Sequence, residues 1–173
     1  MERYINLRRI AVQNNDSMPA DHPCRRGFAD CCRDPRVPVV PGDVKHIKTA
    51  IKRGNIPRRV IAVAKERVKK EPNICPFLNN SRGECTIYEY RPLICVATGA
   101  LALPTREGKD RLEAEKPKGL MHNELQSTMC GHCTSQEKRR GRGINTQALR
   151  DSQIILPFIK LKSIPICDFV KKL

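Results

Sequence analysis

Tryptophan is absent from this 173-residue sequence, and aromatic residues make up only 4% of it. Aromatic side chains usually supply much of a core's buried area, so this chain must build its interior mainly from aliphatic residues. Thirteen prolines and ten glycines break it often. Long apolar runs are missing too. The longest nearly apolar stretch, residues 93–103, is too short to span a bilayer and contains Thr98 and Gly99. The opening Met1-Glu2-Arg3-Tyr4-Ile5-Asn6 has an early acid and no apolar segment, unlike a secretory signal. There is no internal repeat, which sets aside solenoids and propellers. No phosphate-cradling glycine loop, paired-carboxylate site or nucleophile–base pair stands out, so the common hydrolase and phosphotransferase signatures are lacking. Acidic residues are scarce: 18 against 33 lysines and arginines, for a formal net charge of +15.

What the chain has in quantity is cysteine, nine in all. A chain of this length is expected to form one domain, or one domain with a tail. We expect an irregular lead-in over residues 1–20, a cysteine-rich domain over 21–136, and a basic linker with a docking tail over 137–173. Without an export signal the protein is expected in the cytoplasm, where thiols stay reduced. An odd number of cysteines also fits a complete disulfide framework poorly. Metal ligation is therefore the favoured reading, with disulfides as the alternative.

The cysteines fall in three groups. Cys24, Cys31 and Cys32 lie among turn-formers, in Asp21-His22-Pro23-Cys24-Arg25-Arg26-Gly27-Phe28-Ala29-Asp30-Cys31-Cys32-Arg33. Adjacent cysteines diverge in a strand but can wrap a metal in a turn. Cys75, Cys85 and Cys95 stand ten residues apart, around the turn Asn79-Asn80-Ser81-Arg82-Gly83 and the Arg91-Pro92 corner. Cys130-Gly131-His132-Cys133 has the only CxxC spacing. That motif also suits thiol–disulfide exchange, but it lacks the expected strand before it, since residues 120–129 read as helix. Cys167 sits in an apolar tail and is most simply a small buried hydrophobe.

Helical signals separate the first two groups. Pro41-Gly42-Asp43 places Asp43 as an N-cap before Val44, Ile47 and Ile51, and Gly54 suits a C-terminal cap. Pro57 suits the start of a second helix, with Val60, Ile61, Ala64 and Val68 as its apolar stripe and Pro72 as its stop. The expected architecture is mainly α: a small irregular helical domain stapled by cysteine-ligated metal, with an αα-hairpin between the two cysteine blocks.

Thiolates suit zinc and iron–sulfur clusters. A zinc ribbon wants two CxxC knuckles, and this chain has one. Widely spaced cysteines gathered by a fold suit a cluster better. Eight of them (Cys24, Cys31, Cys32, Cys75, Cys85, Cys95, Cys130 and Cys133) are candidate ligands, enough for two four-ligand sites or one site with spares.

The stretch Cys75-Pro76-Phe77-Leu78, followed by Gly83-x-Cys85-x-Ile87-Tyr88-Glu89-x-Arg91-Pro92-x-x-Cys95, resembles the second half of the YkgJ-like cysteine-cluster family of zinc- or iron-chelating CxxCxxCC proteins. Cys24 with Cys31-Cys32 resembles that family's N-terminal signature, and Pro41-Gly42-Asp43-Val44 its linker. The likeness covers roughly residues 24–99. The N-terminal signature departs from the pattern, because positions 25 and 28 hold Arg25 and Phe28, and Cys24 is one residue out of register. Cys130 or Cys133 would then complete the ligand set. The resemblance implies a bound iron–sulfur cluster, of the 4Fe–4S type, or zinc. Some relatives are linked to flagellin lysine methylation and many carry a generic oxidoreductase label; neither activity transfers from these motifs.

Two functions follow as expectations. One is a metal-binding protein, iron–sulfur by preference, with a redox or electron-transfer role or a place beside a modification reaction. The other is a zinc-stapled basic module that binds nucleic acid or an acidic partner, with Lys138, Arg139, Arg140 and Arg142 on phosphates. The shortage of aromatics disfavours stacking on single strands.

Overall fold

The computed structural model describes residues 1–16, 30–33, 37–97, 151, 154–155, 158–159 and 163–173. Within them the protein is mainly α, as expected. The helices are α1 (Glu2–Asp16), α2 (Pro41–Lys52), α3 (Arg58–Lys70), α4 (Leu93–Ala97) and α5 (Ile166–Lys171). Four two-residue strands make two small antiparallel pairs: β1 (Pro38–Val39) with β4 (Ile164–Pro165), and β2 (Leu78–Asn79) with β3 (Glu84–Cys85). Among the described residues no helix is long and apolar enough to cross a membrane.

Residues 2–16, expected to belong to an irregular lead-in, form helix α1 instead; residues 17–20 lie outside the described residues. Tyr4, Leu7 and Ala11 recur at the spacing of one helix face, and all three are buried in α1. That face packs on α4 and shares a core cluster with Val40, Leu93, Val96, Ile155 and Ile159. Asn14 adds a 2.7 Å hydrogen bond from its side-chain amide to Asp151.

Helix α2 also begins earlier than its sequence suggests. Pro41 stands in its first turn, Val40 is the N-cap, and Asp43 occupies the third helical position. A proline costs nothing there, because the first helical amides have no partner within the helix. Asp43 is therefore not the cap itself. Its Oδ2 reaches back to accept the Val40 amide at 3.1 Å. Gly54 closes the helix with φ of 78°, and its amide donates to the Ile51 carbonyl at 3.0 Å. Pro57 precedes α3, whose Ile61, Ala64 and Val68 are buried.

The two consecutive helices share the larger core cluster with the β2–β3 hairpin and α5, where Phe77, Phe169, Ile47 and Leu78 are fully buried. Helix α3 packs on α5. Strand β1 lies between the two cores. Val39 belongs to the larger cluster and its neighbour Val40 to the smaller, as the alternation of side chains along a strand requires.

Candidate metal centre

The stretch 75–95 is shaped by a series of short backbone links. Pro72 lacks an amide hydrogen, and α3 stops at Lys70. Cys75 then turns: its carbonyl accepts the Leu78 amide at 3.0 Å, and its own amide donates to the Cys32 carbonyl at 2.8 Å. The Phe77 carbonyl accepts both the amide and the hydroxyl of Thr86, at 2.8 and 2.9 Å. The hairpin register sets Leu78 opposite Cys85 and Asn79 opposite Glu84. Gly83 makes its return possible with φ of 63°, a conformation costly for residues with a Cβ. A 3₁₀ turn over Tyr88–Tyr90 leads to Arg91-Pro92, and Pro92 opens α4, which carries Cys95.

These links bring four of the eight candidate cysteines to the walls of one cavity of about 30 Å³. Cys32, Cys75, Cys85 and Cys95 line it, together with Val37, Phe77, Ile87, Tyr88, Arg91, Pro92 and Ile166. Cys75 and Cys32 are buried, at 4% and 8% exposure, while Cys85 and Cys95 are half-buried. Among the described residues, no three His, Cys, Asp or Glu side chains converge in the arrangement that would hold a single ion. Four cysteines round one largely apolar cavity are the donor set of either an all-thiolate zinc site or an iron–sulfur cluster, so the residues present fit the metals expected.

The other candidates are placed less fully. The Cys31 backbone belongs to the 3₁₀ turn Asp30–Arg33, the tight turn that adjacent cysteines need, but its side chain lies outside the described part. Cys24, Cys130 and Cys133 fall outside the described residues, as do Lys138, Arg139, Arg140 and Arg142. Cys167 is half-buried against the larger core cluster. Burial pushes its thiol above the ordinary range, Asp168 adds to that, and Lys171 opposes it.

A polar network behind the cavity has little signature in the sequence. Asp43, 1% exposed, accepts three hydrogen bonds: from the Tyr4 hydroxyl at 2.8 Å, the Leu93 amide at 2.9 Å and the Val40 amide at 3.1 Å. One carboxylate thus holds the first turns of α2 and α4 and anchors α1. Burial pushes the Asp43 carboxyl above the ordinary carboxylate range, against the pull of those three donors and of Arg8. Burial and the Asp43 charge likewise push the Tyr4 phenol well up. Arg8 grips the corner before Cys95, donating to the Arg91 carbonyl at 2.8 Å and the Glu89 carbonyl at 3.0 Å. The Arg91 guanidinium lies 4.0 Å over the Tyr88 ring and donates to Asn15 Oδ1 at 3.1 Å. His46 stands between Tyr4 and Tyr90, at ring-centre distances of 6.5 and 5.5 Å. Its Nε2 is buried and has no hydrogen-bond partner among the described residues. Burial, and after it the Arg8 charge, hold the imidazole below the usual histidine range.

No curated protein and no solved structure matches this chain. A family model does match, over residues 23–124, more than half of the sequence. Its description is "CxxCxxCC: Putative zinc- or iron-chelating domain". The match spans the first two cysteine groups and contains all four cysteines of the cavity. The chain belongs to the CxxCxxCC family of zinc- or iron-chelating domains.

Proposed function

We propose that Cys32, Cys75, Cys85 and Cys95 ligate an iron–sulfur cluster that serves electron transfer or a redox reaction. The observation that carries this reading is the set of four cysteines on the walls of one cavity. One point favours a cluster over a single zinc ion. The site draws on three separate chain segments and contains no CxxC knuckle, the spacing zinc sites commonly use. A bound cluster would supply one-electron chemistry. The chain's own residues hold the sulfurs in place, and Val37, Phe77, Ile87 and Ile166 keep water from the inner face. Cys31, Cys24, Cys130 and Cys133 are reserve ligands for a second site or for exchange at this one.

The test is anaerobic purification followed by iron, sulfide and zinc analysis and a visible spectrum. Stoichiometric iron and sulfide with charge-transfer colour are expected. A colourless protein with stoichiometric zinc and no sulfide overturns the cluster assignment.

A second reading, a zinc-stapled module for nucleic acid, draws support from the outer faces of the helical pair. Lys45, Lys48, Lys52, Arg53, Arg58 and Arg59 are all exposed there. Binding to duplex DNA that weakens steeply with salt is the expected result under this reading. No binding at low salt rejects it.

A further inference from the structure

Arg91 shares the cavity wall with the four cysteines. Its guanidinium is fixed on two sides, by the Tyr88 ring at 4.0 Å and by Asn15 Oδ1 at 3.1 Å. Both partners are neutral. Among the described residues no carboxylate forms a salt bridge with Arg91, so none of them cancels its charge. The backbone of the same corner is fixed as well, because Arg8 of α1 donates to the Arg91 and Glu89 carbonyls. Both Arg8 and Asn15 belong to α1, which lies outside the family-matched residues 23–124. A cation that no described carboxylate pairs is thus held from a separate helix in the wall of a cavity lined by four cysteines.

The chemistry of such a cavity gives that cation a purpose. Four thiolates around a dication, or around a cluster core of the same charge, leave a net double negative charge, and the surrounding wall is mostly apolar. Net charge near a centre is one of the levers that set its affinity and potential. A guanidinium suits this position better than an ammonium, because it stacks on a ring and donates in a fixed plane at the same time.

We propose that Arg91 is the counter-charge of the metal centre, held by Tyr88 and Asn15 so that it offsets the negative charge of the bound metal–thiolate unit. Arg91 acts as a positioning and tuning residue and ligates nothing. This assignment rests on the cavity being a metal site.

The experiment compares wild type with Arg91→Gln, Arg91→Lys and Asn15→Asp in the full chain. Zinc affinity is read by competition with a chromophoric chelator, and the reduction potential is read on protein reconstituted with iron and sulfide. Arg91→Gln is expected to bind zinc about 10- to 100-fold more weakly and to lower the potential, a tenfold effect corresponding to about 59 mV for one electron. Arg91→Lys keeps the charge and recovers most of the affinity. Asn15→Asp leaves the arginine in place but puts a carboxylate on it, and falls between wild type and Arg91→Gln. Wild-type affinity in folded Arg91→Gln overturns the assignment, and so does equal weakening by Gln and Lys, the pattern of a purely structural residue. If Arg91→Gln does not fold, Asn15→Asp decides: unchanged affinity overturns the assignment. Wild-type protein that binds neither zinc nor iron overturns the metal reading itself, a different result from either.

Discussion

The Cys75 amide donates to the Cys32 carbonyl across 2.8 Å. That bond ties the first cysteine block directly to the second, so two of the four cavity cysteines are set relative to each other by backbone alone. Pre-set ligands lose less freedom when a metal arrives, which favours tight binding.

The cysteines should therefore divide by position. Cys32→Ser, Cys75→Ser, Cys85→Ser and Cys95→Ser are each expected to lose stoichiometric metal, while Cys167→Ser, outside the cavity, retains it. Metal analysis after anaerobic purification checks this. Chelation of wild-type protein should lower its apparent stability, by about 4 kcal/mol relative to a free metal concentration a thousand times Kd.

Asp43 should be the most sensitive acidic position. Asp43→Ala strands the Tyr4 hydroxyl and the Val40 and Leu93 amides at once and removes the third-position half of the capping box of α2. A loss of about 3 kcal/mol or more is expected in urea unfolding. Asp43→Asn keeps the shape, but its amide group cannot accept from all three donors. It should lose less than alanine and more than a surface change.

Gly42 is expected to reject even a methyl group. A Cβ there would run into the Tyr4 ring. Gly42→Ala should cost about 1–3 kcal/mol through overpacking. The cost should shrink in a Tyr4→Ala background, so a double-mutant cycle gives a coupling energy clearly different from zero.

His46 should make the fold weaken in mild acid. Its pKa is lowered on folding by burial, so the unfolded chain takes up the proton more readily than the folded one. The stability it contributes is present above the ordinary histidine range, about 6.5, and is lost as pH falls through the lowered folded value. Asp43 has the opposite sign. Its folded pKa is raised, so its contribution is present below the ordinary carboxylate range and lost as pH rises through the raised value. Comparing wild type with His46→Phe isolates the histidine, since both retain Asp43. The urea midpoint of wild type should fall more between about pH 7.5 and 5.5 than that of His46→Phe. Equal slopes would contradict this.

Local chemistry made much of the fold legible. Pro41, Gly54, Pro57 and Pro72 mark the helical pair because each residue type has a fixed conformational preference, and Gly54 adopts the positive φ its position suggested. Asp43 was legible as a helix-start residue but not as the node of three elements, because two of its donors, Tyr4 and Leu93, are remote in sequence. Helix α1 was missed although Tyr4, Leu7 and Ala11 carry its spacing. Asn14, Asn15, Asp16 and Pro19, residue types that favour turns, stand at and beyond its C-terminal end and mask that spacing. At the site, the sequence offered eight candidate cysteines, of which Cys32, Cys75, Cys85 and Cys95 line one cavity; the side chains of Cys24, Cys31, Cys130 and Cys133 lie outside the described residues. Nothing local marks Arg8 as the clamp on residues 89–91, or Val37 and Ile166 as cavity walls. Those are facts of tertiary packing between distant segments.

The cavity wall formed by Val37 and Ile166 bears on the order in which the protein assembles. The Ile166 amide donates to the Val37 carbonyl at 3.0 Å, beside the β1–β4 pairing, so this wall joins segments far apart in the sequence. Cys75, Cys85 and Cys95, by contrast, are gathered by a short hairpin and the turn after it. Local contacts of that kind form quickly, whereas pairings across a long intervening chain form late, because the loop they close must first be ordered. The three-cysteine half can therefore exist as an open cup while the far wall is still unformed. If these cysteines ligate a metal, such a cup would leave it an open side until the Val37–Ile166 wall forms.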